Sequence, residues 1–76
     1  MIHNTKLINA LRSLDFKFKR QADRVCIYKM KGNTKRVSVR RNEWHDEEYA
    51  AIILKQAGMS TEGILAFIRE TSETRH

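Results

Sequence analysis

A chain of 76 residues has room for one core, and 41% hydrophobic against 32% charged content belongs to a folded globular protein rather than a disordered one. No run approaches the roughly 18 apolar residues of a transmembrane helix, the N-terminus lacks the apolar stretch of a secretory signal, and one cysteine, Cys26, excludes an internal disulfide; a cytoplasmic setting without membrane contact is expected. The net charge of +6 conceals a division: residues 1–41 hold twelve Lys and Arg against Asp15 and Asp23, a net +10, whereas residues 42–76 hold three against seven acids, a net −4. That asymmetry predicts a field that draws polyanions to one side.

In chain order, Asn4 or Thr5 is positioned to cap a first helix running to about Leu14, with Leu7, Ile8, Leu11 and Leu14 on its apolar face. Phe16 and Phe18 alternate with Lys17 and Lys19, the period of a half-buried strand. Gln21-Ala22-Asp23 reads as a turn, and Arg24 to Met30 as a second strand with Val25 and Ile27 on one face and Cys26, Tyr28 and Met30 on the other. Lys31-Gly32-Asn33 is a hairpin signal before a third strand, Lys35 to Arg40, which turns Val37 and Val39 inward and Arg36, Ser38 and Arg40 outward.

Past Arg41 the period becomes helical, with Asn42 or His45 as cap and Asp46, Glu47 and Glu48 in the first turn, where acids suit the helix dipole. Tyr49, Ile52, Ile53 and Gln56 mark the face of that helix, and Gly58 its end. Ser60 caps a last helix, Thr61 to about Thr71, expected to bury Ile64, Leu65, Phe67 and Ile68, and the tail over 72–76 is expected to fray. The expected architecture is a single α+β domain over 1–76, order α-β-β-β-α-α, with a three-stranded antiparallel sheet and helices packed on one face.

Few residues support catalysis or cofactor binding. His3, His45 and His76 are scattered and Cys26 has no second thiol at ligand spacing, so neither a metal nor any cofactor is implied. Residues one or two apart on a helix do not face each other, so Asp46, Glu47 and Glu48 read as a solvated first turn. His45 alone falls near the sheet and the cations, which makes it the one candidate acid/base. Trp44 fits either the core edge or a contact residue.

The cations carry a stronger signal, because so few acids lie among them. Lys17, Lys19, Arg20, Arg24, Lys29, Lys31, Lys35, Arg36, Arg40 and Arg41 are the candidate phosphate-binding set, with Lys35, Arg36, Arg40, Arg41, Lys29 and Lys31 expected along one continuous strip. Tyr28 and Phe18 offer rings for base stacking, an arrangement suited to RNA.

The segment Ile52-Ile53-Leu54-Lys55-Gln56-Ala57-Gly58-Met59-Ser60, continuing through Thr61-Glu62-Gly63-Ile64-Leu65, resembles the C-terminal signature of HicA-like toxins of bacterial toxin–antitoxin systems, which are small mRNA-cleaving proteins. The preceding order is also similar, from Leu11 to Phe16 through Arg20-Gln21 to Val37-Ser38-Val39, so the likeness covers residues 5–68. It implies a fold like a double-stranded-RNA-binding domain and affinity for RNA, single- or double-stranded; an antitoxin-like partner and a bacterial or phage setting would accompany it, and the basic face by itself also suits another acidic protein partner. In that family a Gly-Ser/Asn-His stretch opens the second strand and its histidine cleaves RNA. Here the matching stretch is Ala22-Asp23-Arg24-Val25-Cys26; Val25 has no ionisable group, and Arg24 is too basic to exchange a proton. The expectation is therefore an RNA-binding, catalytically degenerate HicA-like protein. Its rivals are an active ribonuclease toxin using His45 and an inhibitor module that docks its basic face on a protein.

Overall fold

A computed structural model describes residues 1–74 of the chain. Its elements are β1 (Ile2–His3), α1 (Asn4–Ser13), β2 (Phe16–Ala22), β3 (Val25–Met30), β4 (Arg36–Arg40), β5 (Trp44–His45), α2 (Glu47–Gln56) and α3 (Thr61–Thr71). The α+β architecture expected from the sequence is present: β2, β3 and β4 form an antiparallel sheet in that order, and the helices pack on one of its faces. Two short strands extend the expected order, with β1 and β5 pairing antiparallel through Ile2 with His45 and His3 with Trp44. Two-residue strands are too short to display any period, which is why a periodicity reading passes over them.

The core lies between the sheet and the helices. Phe16, Tyr28, Val37 and Val39 point from the sheet into it, meeting Leu7 and Leu11 of α1, Ala50, Ile53 and Leu54 of α2 and Ile64 of α3. The expected face of α1 is the observed one. That of α2 is rotated by one position: Ala50, Ile53, Leu54 and Ala57 are buried, while Ile52 is 53% exposed. On α3, Leu65 stands 56% exposed instead of buried. In both helices the apolar residues outnumber the positions that one face can bury.

Caps and turns also depart from expectation in places. His3 rather than Asn4 or Thr5 caps α1, its ring Nδ1 accepting from the Thr5 N–H, and Asp46 occupies the cap position of α2 expected for Asn42 or His45. Ser60 caps α3 as expected, accepting from the Gly63 N–H. Asp15, with φ +68°, turns the chain out of α1 into β2, a left-handed conformation that Asp tolerates better than most residues. The β2–β3 turn is Asp23-Arg24, later than the expected Gln21-Ala22-Asp23, because Ala22 still pairs with Val25.

The tail is held where the sequence suggested fraying. The Met1 ammonium donates to the Glu47 carboxylate and to the Glu73 carbonyl, the Glu73 N–H returns to the Met1 carbonyl at 2.7 Å, and the Ser72 hydroxyl also donates to Glu47. The bond from the Met1 ammonium, followed by that from Ser72, brings the Glu47 carboxyl down to about 2. Arg75 and His76, the rest of that expected tail, lie outside the described residues.

Gly58 ends α2 with φ +97°, its N–H bonded to the Lys55 carbonyl while the Met59 N–H reaches the Leu54 carbonyl. That is the paired pattern of a Schellman stop, in which the left-handed position favours glycine. A Cβ there would meet only Lys35 Nζ, at 3.3 Å, and a lysine tip moves aside easily. Gly58→Ala should therefore act through its backbone, costing about 1 kcal/mol and lowering the melting temperature by about 4–8 °C. Calorimetric unfolding checks this, and an unchanged melting temperature would show that the left-handed conformation carries no such penalty.

Candidate nucleic-acid interface

The face of the sheet away from the helices has no apolar layer over it, and strand register decides what it displays. Lys17 pairs with Lys29, and Lys29 with Arg36, so three cations stand abreast across β2, β3 and β4. Neighbouring strands run about 4.8 Å apart, and like charges directly opposite each other destabilise a sheet. No lysine or arginine side chain among the described residues forms an ion pair with a carboxylate. The next row is Arg20, Ile27 and Ser38, and the one beyond it Ala22, Val25 and Arg40.

A bulge in β2 adds to this charge. Register shifts between Phe18, opposite Tyr28, and Arg20, opposite Ile27, leaving Lys19 as the extra residue. Strict alternation from Phe16 and Phe18 would have turned Arg20 toward the helices. With the extra residue, Arg20 joins the open face beside Lys19. The Lys19 ammonium is pushed below its ordinary value, first by Arg36, then by partial desolvation, then by Lys29 and Arg20. Lys19 therefore feels cations on all three strands, Arg20 on its own, Lys29 on β3 and Arg36 on β4.

The remaining candidates are distributed differently from the single strip expected. Lys35 points to the helix side, its Nζ beside Gly58 at the C-terminal end of α2, where a cation suits the dipole. Arg40 is exposed, but its guanidinium lies 4.7 Å from the centroid of the Tyr49 ring and its N–H donates to the Tyr49 hydroxyl at 3.0 Å. Arg36 and Arg40 are both exposed, as their spacing on β4 predicts, but the Arg40 side chain leans from this edge strand onto α2, so the two guanidinium groups do not form one site. Arg24 is exposed in the β2–β3 turn, and its carbonyl accepts from the Arg41 N–H at 3.1 Å. Arg40 and Arg41 border a cleft of about 290 Å³ floored by Cys26, Tyr28 and Val39.

Tyr28 is not a stacking residue. It is 7% exposed within the core, and burial holds its hydroxyl above the ordinary tyrosine range. The ring that remains accessible is Phe18, 54% exposed on edge strand β2 and edge-on to Tyr28 at 5.9 Å. It lies between two concavities, one shared with Arg12, Asp15, Lys17 and Lys31, the other with Lys17, Lys19, Lys29 and Lys31. Arg12 escapes sequence reasoning because its helix position says nothing of the strand edge that its side chain reaches. The register signal for Phe18 was present in its alternation with lysines.

His45 does not have the position of a working acid/base. It is 3% exposed, donates from Nε2 to Asn4 Oδ1 at 2.8 Å, and stacks on Tyr49 at 5.2 Å. Its pKa is lowered, chiefly by burial and then by Arg40, against a smaller opposing effect of Asp46. Trp44, beside it on β5, is half-buried and edge-on to His3 at 4.9 Å. Cys26 is partly buried against the core, and among the described residues no three His, Cys, Asp or Glu side chains converge as a metal-binding group. No helix of the described residues is long and apolar enough to cross a membrane.

The chain matches no protein-family model, no curated protein and no solved structure.

A histidine whose folded pKa is depressed contributes stability above its unfolded value of 6.5 and loses it as pH falls below that value. The wild-type chain should thus lose stability below pH 6.5 more steeply than His45→Gln, by at most about 1.4 kcal/mol per pH unit. Denaturant titrations of both proteins at several pH values measure the difference. Parallel pH profiles would show that His45 is not held neutral by the fold.

Proposed function

We propose that the chain binds RNA across the open face of the β2-β3-β4 sheet, as a HicA-like domain that lacks the family's catalytic histidine. The observation that carries this reading is the Lys17, Lys29 and Arg36 row, three cations in register with no carboxylate paired to any of them. Like charges held abreast cost stability in the free protein, and phosphates at the spacing of a nucleic-acid backbone relieve that cost. Lys19 and Arg20, brought to the same face by the bulge, widen the phosphate-binding surface. A single strand fits better than a duplex, because it can turn over the β2 edge to stack a base on Phe18, which stands on the helix side of the sheet beside a concavity lined by Lys17, Lys19 and Lys29.

The HicA-like part of the reading draws support from the three antiparallel strands with helices on one face and from the Leu54-Lys55-Gln56-Ala57-Gly58 helix end. The stretch matching the family's catalytic segment forms the Asp23-Arg24 turn and the start of β3, without a histidine. The burial of His45 leaves the ribonuclease alternative without an accessible acid/base there.

Fluorescence anisotropy with a labelled single-stranded RNA over a salt series tests the surface. Lys17→Ala with Arg36→Ala should weaken binding about tenfold or more at moderate salt and flatten the logarithmic salt slope by about 1.4, with folding within about 0.5 kcal/mol of wild type. Lys6→Ala with Arg69→Ala removes the same charge from the helix layer and should change little. Equal losses in the two double variants would mean that only net charge matters. The RNA should be recovered at full length, and cleavage products would overturn the degenerate assignment.

Phe18→Ala separates stacking from charge. Affinity should fall by about 1–3 kcal/mol while the salt slope stays at its wild-type value, since no phosphate contact is lost. A changed slope with undiminished affinity at low salt would remove Phe18 from the proposed interface.

A further inference from the structure

The helix layer carries an apolar surface that the proposed RNA interface leaves unused. Between α2 and α3 runs a groove of about 380 Å³ in which Ile52 is 53% and Leu65 56% exposed. From α2 it is lined by Glu48, Ala51, Ile52 and Lys55, the i, i+3, i+4, i+7 stripe of one helix face. Two large aliphatic side chains side by side in one groove are a candidate contact surface, whereas scattered ones would need no explanation.

We infer that this groove is occupied by a second copy of the same chain, with α2 packed antiparallel against its own counterpart about a two-fold axis. The charges on the stripe select that occupant. An antiparallel pair centred between Ala51 and Ile52 sets Glu48 opposite Lys55 of the second copy and Lys55 opposite its Glu48. It also seats Ile52 against the small Ala51 of the other copy, twice by symmetry. A parallel pair would oppose Glu48 to Glu48 and Lys55 to Lys55. A strongly acidic or basic partner segment would meet one favourable and one unfavourable rim charge, whereas the chain's own helix matches both. Glu47, one residue away, is already held by the Met1 ammonium and Ser72. Leu65 and Ile68 of α3 flank the seam and would be covered with it. Because the helices lie on the opposite face of the sheet from the Lys17, Lys29 and Arg36 row, the pairing leaves both basic faces outward and does not depend on RNA binding.

Sedimentation equilibrium on nuclease-treated, nucleic-acid-free protein, over a concentration series, tests the pairing. Wild type should shift with concentration from the 9.0 kDa monomer to twice that mass. Glu48→Lys and Lys55→Glu, each alone, place like charges at both rims and should weaken self-association about tenfold. An equimolar mixture of those two variants restores both opposite-charge contacts and should dimerise as wild type does. Ile52→Ser should remain monomeric with an unchanged circular dichroism spectrum. A wild-type chain that stays at monomer mass throughout would overturn the proposal, as would two single-charge variants that fail to associate with each other.

Discussion

A sheet of three short strands has two faces, and a chain of this length has apolar side chains enough to cover only one of them. The residues that fill the core come from α1, α2 and α3 on one side and from Phe16, Tyr28, Val37 and Val39 on the other. Everything else follows from that one-sided burial. The covered face fixes the register of β2, β3 and β4, since a slip by one residue would exchange core and solvent positions along a whole strand. The uncovered face is then free to carry residues that serve no packing purpose, and one of its rows, Lys17, Lys29 and Arg36, is made of cations in register with one another.

The periphery of the fold is held by different means. The two-residue strands β1 and β5, the Met1 ammonium on Glu47, and the reciprocal backbone bonds between Met1 and Glu73 bring the two ends of the described chain together. Beside them His45, Asn4 and Tyr49 form a small polar cluster, with the Tyr49 hydroxyl accepting from the backbone of Arg40. The N-terminus, the end of β4 and the start of α2 thus share one set of contacts, and this set takes Arg40 away from the open face. Polar groups in such a cluster must be satisfied together, because each one left unpaired would carry the cost of its own desolvation.

The sheet and helices were legible where the residue pattern repeats often enough to be counted. Leu7 and Leu11, Val37 and Val39, and the Ser60 cap each sit in a local pattern whose physical meaning does not depend on distant parts of the chain. What escaped the sequence depends on long-range geometry. Ile52 and Ile53 are adjacent, and only the packing of α2 on the sheet decides that Ile53 is inside. Tyr28 alternates correctly with its neighbours, yet whether its face is the covered one depends on where the helices lie. His45 looked accessible because its partner, Asn4, is 41 residues away. The bulge at Lys19 has no marker in the strand that contains it, since it is defined by the opposing register of β3. The candidate set of cations was readable from composition, but its separation into an open face, a strand edge and a turn was not.

The free edge of β2 gives those charges one more consequence. An edge strand with an exposed aromatic ring is a template on which another chain can add a strand, and Lys17, Lys19 and Arg20, together with the bulge, make such addition unfavourable. This protection is electrostatic repulsion between copies, and any polyanion that neutralises the cations also removes it. Added salt acts in the same direction by screening, so this edge is best protected from edge-to-edge growth at low ionic strength.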